Sequence, residues 1–176
     1  MMSIHESYDR SSRSAAAPAR RRRSAFSSRF KVLIVDDIAE NRALLAMFCE
    51  QFGVAHECVE GGREAVAAAS SGRFDVILMD IFMPHMDGMI ATGAIRALGG
   101  AAGSTPIIAV TTAAEPGEIR RYLACGMNDV VPKPILASRL MDALSSALAE
   151  RRKTLRAEDA RAQNASAESV KVRLSA

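Results

Sequence analysis

An α/β fold with a parallel sheet covered on both faces is what this sequence predicts, and three observations predict it. Strand-like apolar runs and helix-period segments alternate five times along residues 30–150, with no internal repeat. The runs are continuous, as in Val32-Leu33-Ile34-Val35 and Val76-Ile77-Leu78-Met79, which suits strands buried on both faces. Short polar signals then close the runs: Asp36-Asp37, Asp80, Thr111 and Lys133. In parallel sheets with right-handed crossovers, ligands bind beyond the carboxyl ends of the strands, where all of these residues fall.

The first strand starts at Phe30-Lys31 and ends at Val35. Residues 39–52 carry Leu44, Leu45, Phe48 and Phe52 at helical spacing, and Gly53 suits the position just past a helix end. Residues 54–59 read as a second, more exposed strand. Gly61-Gly62 opens a helix through about Ser71, with Ala65, Val66 and Ala69 on one face. The third strand covers 74–79, and a loop from Met83 to Gly88 leads into a helix over 88–98. Gly99, Gly100 and Gly103 break the chain before a fourth strand at 106–110. A helix near 115–124 ends toward Gly126, and a short fifth strand covers 128–131. The last helix begins after Pro134 and runs past Glu150, with 137–162 readable as one helix whose distal turns leave the domain. Residues 1–29, rich in Ser, Ala and Arg without periodicity, read as a disordered tail. Residues 151–176 read as a basic polar extension that starts helical and then becomes disordered.

Composition narrows the function classes. The 176 residues suit one domain plus tails, and 49% hydrophobic content is enough for a core. The net charge of +3 conceals a split. Residues 1–30 hold seven arginines against two acids, residues 31–150 fifteen acids against nine bases, and residues 151–176 seven bases against three acids. An acidic domain therefore sits between basic tails. Cys49, Cys58 and Cys125 form no CxxC pair and have no His at zinc-ligand spacing, so they read as free thiols in a reducing cytoplasm. No apolar run is long enough to span a bilayer. The Arg-rich opening lacks the apolar core of a secretory signal, although its Arg- and Ser-rich, acid-poor composition also fits an organellar transit peptide.

The strand-end residues carry the chemistry. Three carboxylates held ~4 Å apart repel by roughly 4 kcal/mol per pair at an effective dielectric of about 20. Such a cluster either protonates or binds a cation, and a hard divalent ion with oxygen ligands such as Mg²⁺ fits. An anionic phosphoryl donor can then approach, with one carboxylate as nucleophile. Asp80 is the best nucleophile candidate, ending the central strand, while the adjacent pair Asp36-Asp37 suits the metal. The Lys133 ammonium and the Thr111 hydroxyl supply compensation at the phosphoryl oxygens.

The segments VLIVDD (32–37), LMDIFMPHMDG (78–88), PIIAVTT (106–112) and GMNDVVPKPI (126–135) are similar to receiver domains of two-component response regulators, over Lys31 to about Glu150. DDIAENRALL and GMNDVVPKP most resemble receivers of hybrid histidine kinases and phosphorelays. The resemblance implies a flavodoxin-like (CheY-like) fold, a five-stranded parallel sheet of order 2-1-3-4-5 with five helices in three α/β/α layers. It implies Asp80 as phosphoacceptor, Asp37 as direct Mg²⁺ ligand with Asp36 acting through water, and the Phe82 backbone carbonyl as a further ligand. Thr111 would be the switch hydroxyl and Lys133 the phosphate clamp, with the Lys133–Pro134 bond cis. The implied protein is not a turnover enzyme. It is a stand-alone receiver that takes its phosphoryl group from a histidine kinase or a histidine phosphotransfer protein and binds an unidentified downstream protein.

The sequence also departs from the pattern. Where the family has Tyr or Phe three residues before the Lys, this chain has Val130, and Thr112 replaces a small residue beside Thr111. Phe82 and Ala113, two places beyond Asp80 and Thr111, flank the route of an attacking water. His85 reads as an exposed loop residue rather than a metal ligand, and Met79, Met83, Met86 and Met89 as packing rather than a copper site. Arg20 to Arg23 could bind nucleic acid or an anionic membrane, gated by the receiver. Without aromatic interleaving, however, they read as a solvated arm. A haloacid-dehalogenase-type phosphatase needs Asp-x-Asp after its first strand, and Asp36-Asp37-Ile38 lacks that spacing.

Overall fold

A computed structural model describes residues 30–174. The N-terminal arm read from the sequence as a disordered tail, including Arg20 to Arg23, lies outside the described residues. Five parallel strands, β1 (Lys31–Val35), β2 (Ala55–Val59), β3 (Val76–Asp80), β4 (Ile107–Thr111) and β5 (Asp129–Pro132), form one sheet in the order β2-β1-β3-β4-β5. Every residue of β3 and β4 is buried, which is why these strands read as unbroken apolar runs. β2, at the sheet edge, has no fully buried residue.

Successive side chains of a strand point to opposite faces, so the sheet divides the core in two. On one face Val32, Ile34, Val76, Leu78, Ile108 and Val110 meet α1 (Ala39–Phe52) and α6 (Ala137–Leu174), through residues such as Leu45, Phe52, Leu140, Leu144 and Leu148. On the other, Leu33, Val35, Ile77, Met79, Ile107 and Ala109 meet α2 (Gly62–Ala69), α3 (Gly88–Ala97) and α5 (Pro116–Ala124), through Ala65, Ala91, Ile95 and Tyr122. The three-layer sandwich follows from strand periodicity. α1 stops as expected at Gly53, whose φ of 73° is easily adopted only without a Cβ. Asp87 caps α3, its carboxylate accepting the Ile90 N–H at 2.7 Å.

Two elements differ from expectation. A sixth, one-turn helix, α4 (Gly100–Gly103), stands where the glycines promised only a break among five helices. The Arg96 guanidinium holds this turn, donating to Gly103 O at 2.8 Å and Thr105 O at 2.7 Å. α6 continues to Leu174, beyond the helical start expected of the 151–176 extension. Its distal half contains Ala, Arg, Glu and Lys and neither Gly nor Pro, a composition that sustains a helix. β3, β4 and β5 also begin one or two residues later than read, so Asp80 and Thr111 are the last residues of their strands rather than the first beyond them.

Candidate functional site

The strand order brings the polar strand-end residues together. β1 and β3 are neighbours, so Asp36, just past β1, and Asp80, ending β3, share the carboxyl edge of the sheet. β4 adds Thr111, and β5 delivers Lys133, whose N–H donates to Thr111 O at 2.8 Å. Carboxylate oxygens of Asp36, Asp37 and Asp80 lie within 4.8 Å of one another. Lys133 Nζ bridges two of them, 2.8 Å from Asp36 Oδ2 and 3.2 Å from Asp80 Oδ1. The Lys133–Pro134 peptide bond is cis.

The adjacent aspartates differ in their partners. Asp36 is fully buried, and Oδ1 accepts the Ile38 N–H at 2.9 Å and Asn41 Nδ2 at 3.0 Å, while Oδ2 accepts Lys133. Asp37 is at least partly exposed, and its carboxylate accepts no hydrogen bond from the described residues. Its carboxylate oxygens are therefore available to a cation. Arg42 fixes the connecting backbone, donating to Asp36 O at 2.9 Å and Asp37 O at 3.0 Å while pairing with Glu60 at 2.8 Å. Neither Asn41 nor Arg42 was singled out by sequence reasoning. Their position in the first turn of α1, five and six residues past Asp36, is the only signal they gave.

The site's own residues leave its charge unbalanced, with one ammonium among three carboxylates. Burial pushes the Asp80 carboxyl above the ordinary carboxylate range; the Lys133 charge opposes this and the Asp36 charge reinforces it. Burial works to lower the Lys133 pKa, but hydrogen bonding and attraction to Asp36 and Asp80 outweigh it and hold the ammonium's pKa above its usual value. Three carboxylates facing one ammonium leave net negative charge for a hard cation, and an all-oxygen donor set suits Mg²⁺. Gly88 makes this geometry possible. It packs against the Asp80 carbonyl so closely that a Cβ there would collide with backbone, and its N–H donates to Ile81 O at 2.9 Å.

The remaining candidates fall around the rim. Phe82 lies in the loop after Asp80 with its side chain 59% exposed. His85 is exposed with φ 66°, beside a cavity of about 350 Å³ that Asp37, Glu60 and Glu64 also line. Met79 and Met83 are buried in the core, with Met86 and Met89 packed against it. Val130 is buried in the same cluster, which also holds Tyr122. The three cysteines are free thiols. Among the described residues no helix is long and apolar enough to cross a membrane.

Comparison with known proteins agrees with this geometry. The family profile of the response regulator receiver domain matches residues 32–145. Two-component response regulator 24 of Arabidopsis thaliana is 36% identical over 118 residues, covering 66% of this chain and 83% of that protein. Sensor protein GacS of Pseudomonas syringae is 43% identical over 112 residues, 62% of this chain but only 12% of that protein, so the chain spans a small part of such kinases. Among solved structures, the receiver domain of sensor histidine kinase PA1611 from Pseudomonas aeruginosa PAO1 superposes with a TM-score of 0.63 and 33% identity, covering 68% of this chain and 98% of that one. That crystal structure has a magnesium ion coordinated in its active-site cleft. With the strand order, the carboxylate cluster and the profile match all in agreement, this chain belongs to the response regulator receiver domain family.

Proposed function

We propose that the chain accepts a phosphoryl group on the Asp80 carboxylate from a phosphohistidine of a histidine kinase or histidine phosphotransfer protein. The observation that carries this is the convergence of Asp36, Asp37 and Asp80 within 4.8 Å, with Lys133 Nζ 3.2 Å from Asp80. An Asp80 oxygen forms the new P–O bond as the P–N bond to the donor imidazole breaks, and the imidazole leaves with the bonding pair and takes up a proton. Asp37, Asp36 and the Phe82 carbonyl would hold a Mg²⁺ ion, whose positive charge would let the anionic groups meet. Lys133, already at Asp80, transfers one of its ammonium hydrogen bonds to a phosphoryl oxygen, and Thr111 at the end of the next strand offers its hydroxyl to another.

Each phosphorylation event modifies the protein itself, so it acts as a signalling module rather than a turnover enzyme. The output we assign is phosphorylation-dependent binding of another protein. We read its compartment as the reducing cytoplasm, a reading that the free thiols support. The test is labelling by acetyl phosphate in the presence of Mg²⁺. Wild type should gain one phosphoryl group and Asp80→Asn none. Persistent labelling of Asp80→Asn means that another residue is the acceptor.

A further inference from the structure

The edge of the sheet opposite Asp80 gathers positive charge. Phe30 lies just before β1, and the Arg152 guanidinium of α6 sits over its ring at 4.7 Å. Arg151, Arg152, Lys153 and Arg156 follow Glu150 within two turns of the same helix. Ser104, which closes α4 ahead of β4, stands at this edge too, and its hydroxyl accepts Arg151 Nη1 at 2.9 Å. Thr111 ends β4, so Ser104 and the carboxylate cluster lie a full strand apart.

Arg151 is the unusual member of this group. It is 2% exposed, yet the contact with Ser104 is its one hydrogen bond among the described residues, and it pairs with no carboxylate among them. Its Nε is shielded from solvent and has no partner. Arginine carries five N–H donors in a rigid fork, and the Nε–Nη2 edge can grip two oxygens of one oxyanion side by side. Ser104 takes Nη1 and leaves that edge unbonded. A guanidinium buried without a counter-charge costs stability, which a bound anion restores. Ser104 steers the fork without offering a donor of its own, since its proton goes to Ala101 O at 3.2 Å. A cavity of about 150 Å³ lined by Pro106, Asn128, Asp129, Ala147 and Glu150 opens in the same corner. Ala147 lies one turn before Arg151, the direction in which a helical side chain leans. The two acids of the cavity are already engaged, Asp129 by Arg139 and Glu150 by Lys153. We propose that Arg151 binds a phosphate-class oxyanion through its Nε–Nη2 edge, with Ser104 positioning the fork and Arg152 and Arg156 adding positive charge around it. This site is independent of the reading of Asp80 as acceptor.

The test uses the full chain in EDTA, where the carboxylate cluster repels anions from the other edge. Inorganic phosphate replaces chloride at constant ionic strength, and thermal melts are the readout. At ten times its Kd, phosphate should raise the wild-type Tm by roughly 3–5 °C. Arg151→Met keeps the stem and removes the charge. It should melt at or above wild type in chloride and gain less than about 1 °C from phosphate. Arg151→Lys keeps the charge and loses the fork, so its phosphate affinity should fall by about tenfold. The proposal is overturned if wild type ignores phosphate, if Arg151→Met gains the full shift, or if Arg151→Lys binds phosphate as tightly as wild type. It is also overturned if Arg151→Met melts well below wild type in chloride, the mark of a structural pin. A short single-stranded oligonucleotide separates the sources of the oxyanion. If it abolishes the phosphate shift in wild type, the site takes a phosphodiester; if the shift survives, the ligand is free phosphate.

Discussion

Adjacent aspartates with opposite surroundings set the chemistry at the scale of single residues. Asp36 is saturated by three hydrogen bonds and buried, so it orients Lys133 and Asn41 and contributes a fixed negative charge. Asp37 keeps a carboxylate that bonds to no described residue and stays close to Asp36 and Asp80. Phe82 stands two residues past Asp80 with a large exposed ring. We expect Phe82→Asn to shorten the lifetime of the Asp80 phosphoryl group by about tenfold, equivalent to roughly 1.4 kcal/mol of barrier, by letting water in and orienting it. A lifetime that is unchanged or longer would refute the shielding role. The five site residues were legible in the sequence because each closes an apolar run, a local pattern that a parallel sheet turns into proximity. Arg42 was not, because its pairing with Glu60 depends on β2 lying beside β1, which no local spacing rule encodes.

The α3–β4 connection shows the limits of legibility at the scale of elements. Three glycines read as a break, yet the chain forms the α4 turn because one side chain supplies the donors. Arg96 reaches Gly103 O, Thr105 O, Gly126 O and Asn128 Oδ1, tying α3 to the turn before β4 and to the loop before β5. Arg96→Met keeps the stem and abandons these acceptors. It should cost about 3 kcal/mol in urea unfolding, with Asp80 still labelled by acetyl phosphate, because the site lies at the other end of the strands. A loss below about 0.5 kcal/mol would mean that water replaces the guanidinium without penalty. Helix α1 and its glycine stop were readable residue for residue, since they depend on period and cap alone. α6 was readable at its start, but its end was not, because nothing in an Ala- and Arg-rich segment marks a stop.

For the whole molecule, the sheet order concentrates acid at one pole, and binding of a divalent cation there should couple to folding. At a Mg²⁺ concentration a hundred times its Kd, a ligand bound only by the folded state adds about 2.7 kcal/mol. For a chain of this size that is a rise in Tm of roughly 5–10 °C. Thermal melts with and without Mg²⁺ check this, and the shift should vanish in Asp37→Asn. A full shift in that variant would place the ion elsewhere. The strand order itself was reached through resemblance; alternation of elements alone gave only a parallel sheet covered on both faces.

The burial of Tyr122 has an optical consequence. The chain has no tryptophan and two tyrosines, Tyr8 and Tyr122, so its near-ultraviolet absorption and emission come mainly from two phenols. In a Tyr8→Phe background one chromophore remains, seated between β4, β5 and α5 and held by Glu118. The protein then carries its own dye beneath β4, the strand that ends in Thr111, and changes in that half of the core can be followed by emission with no label attached.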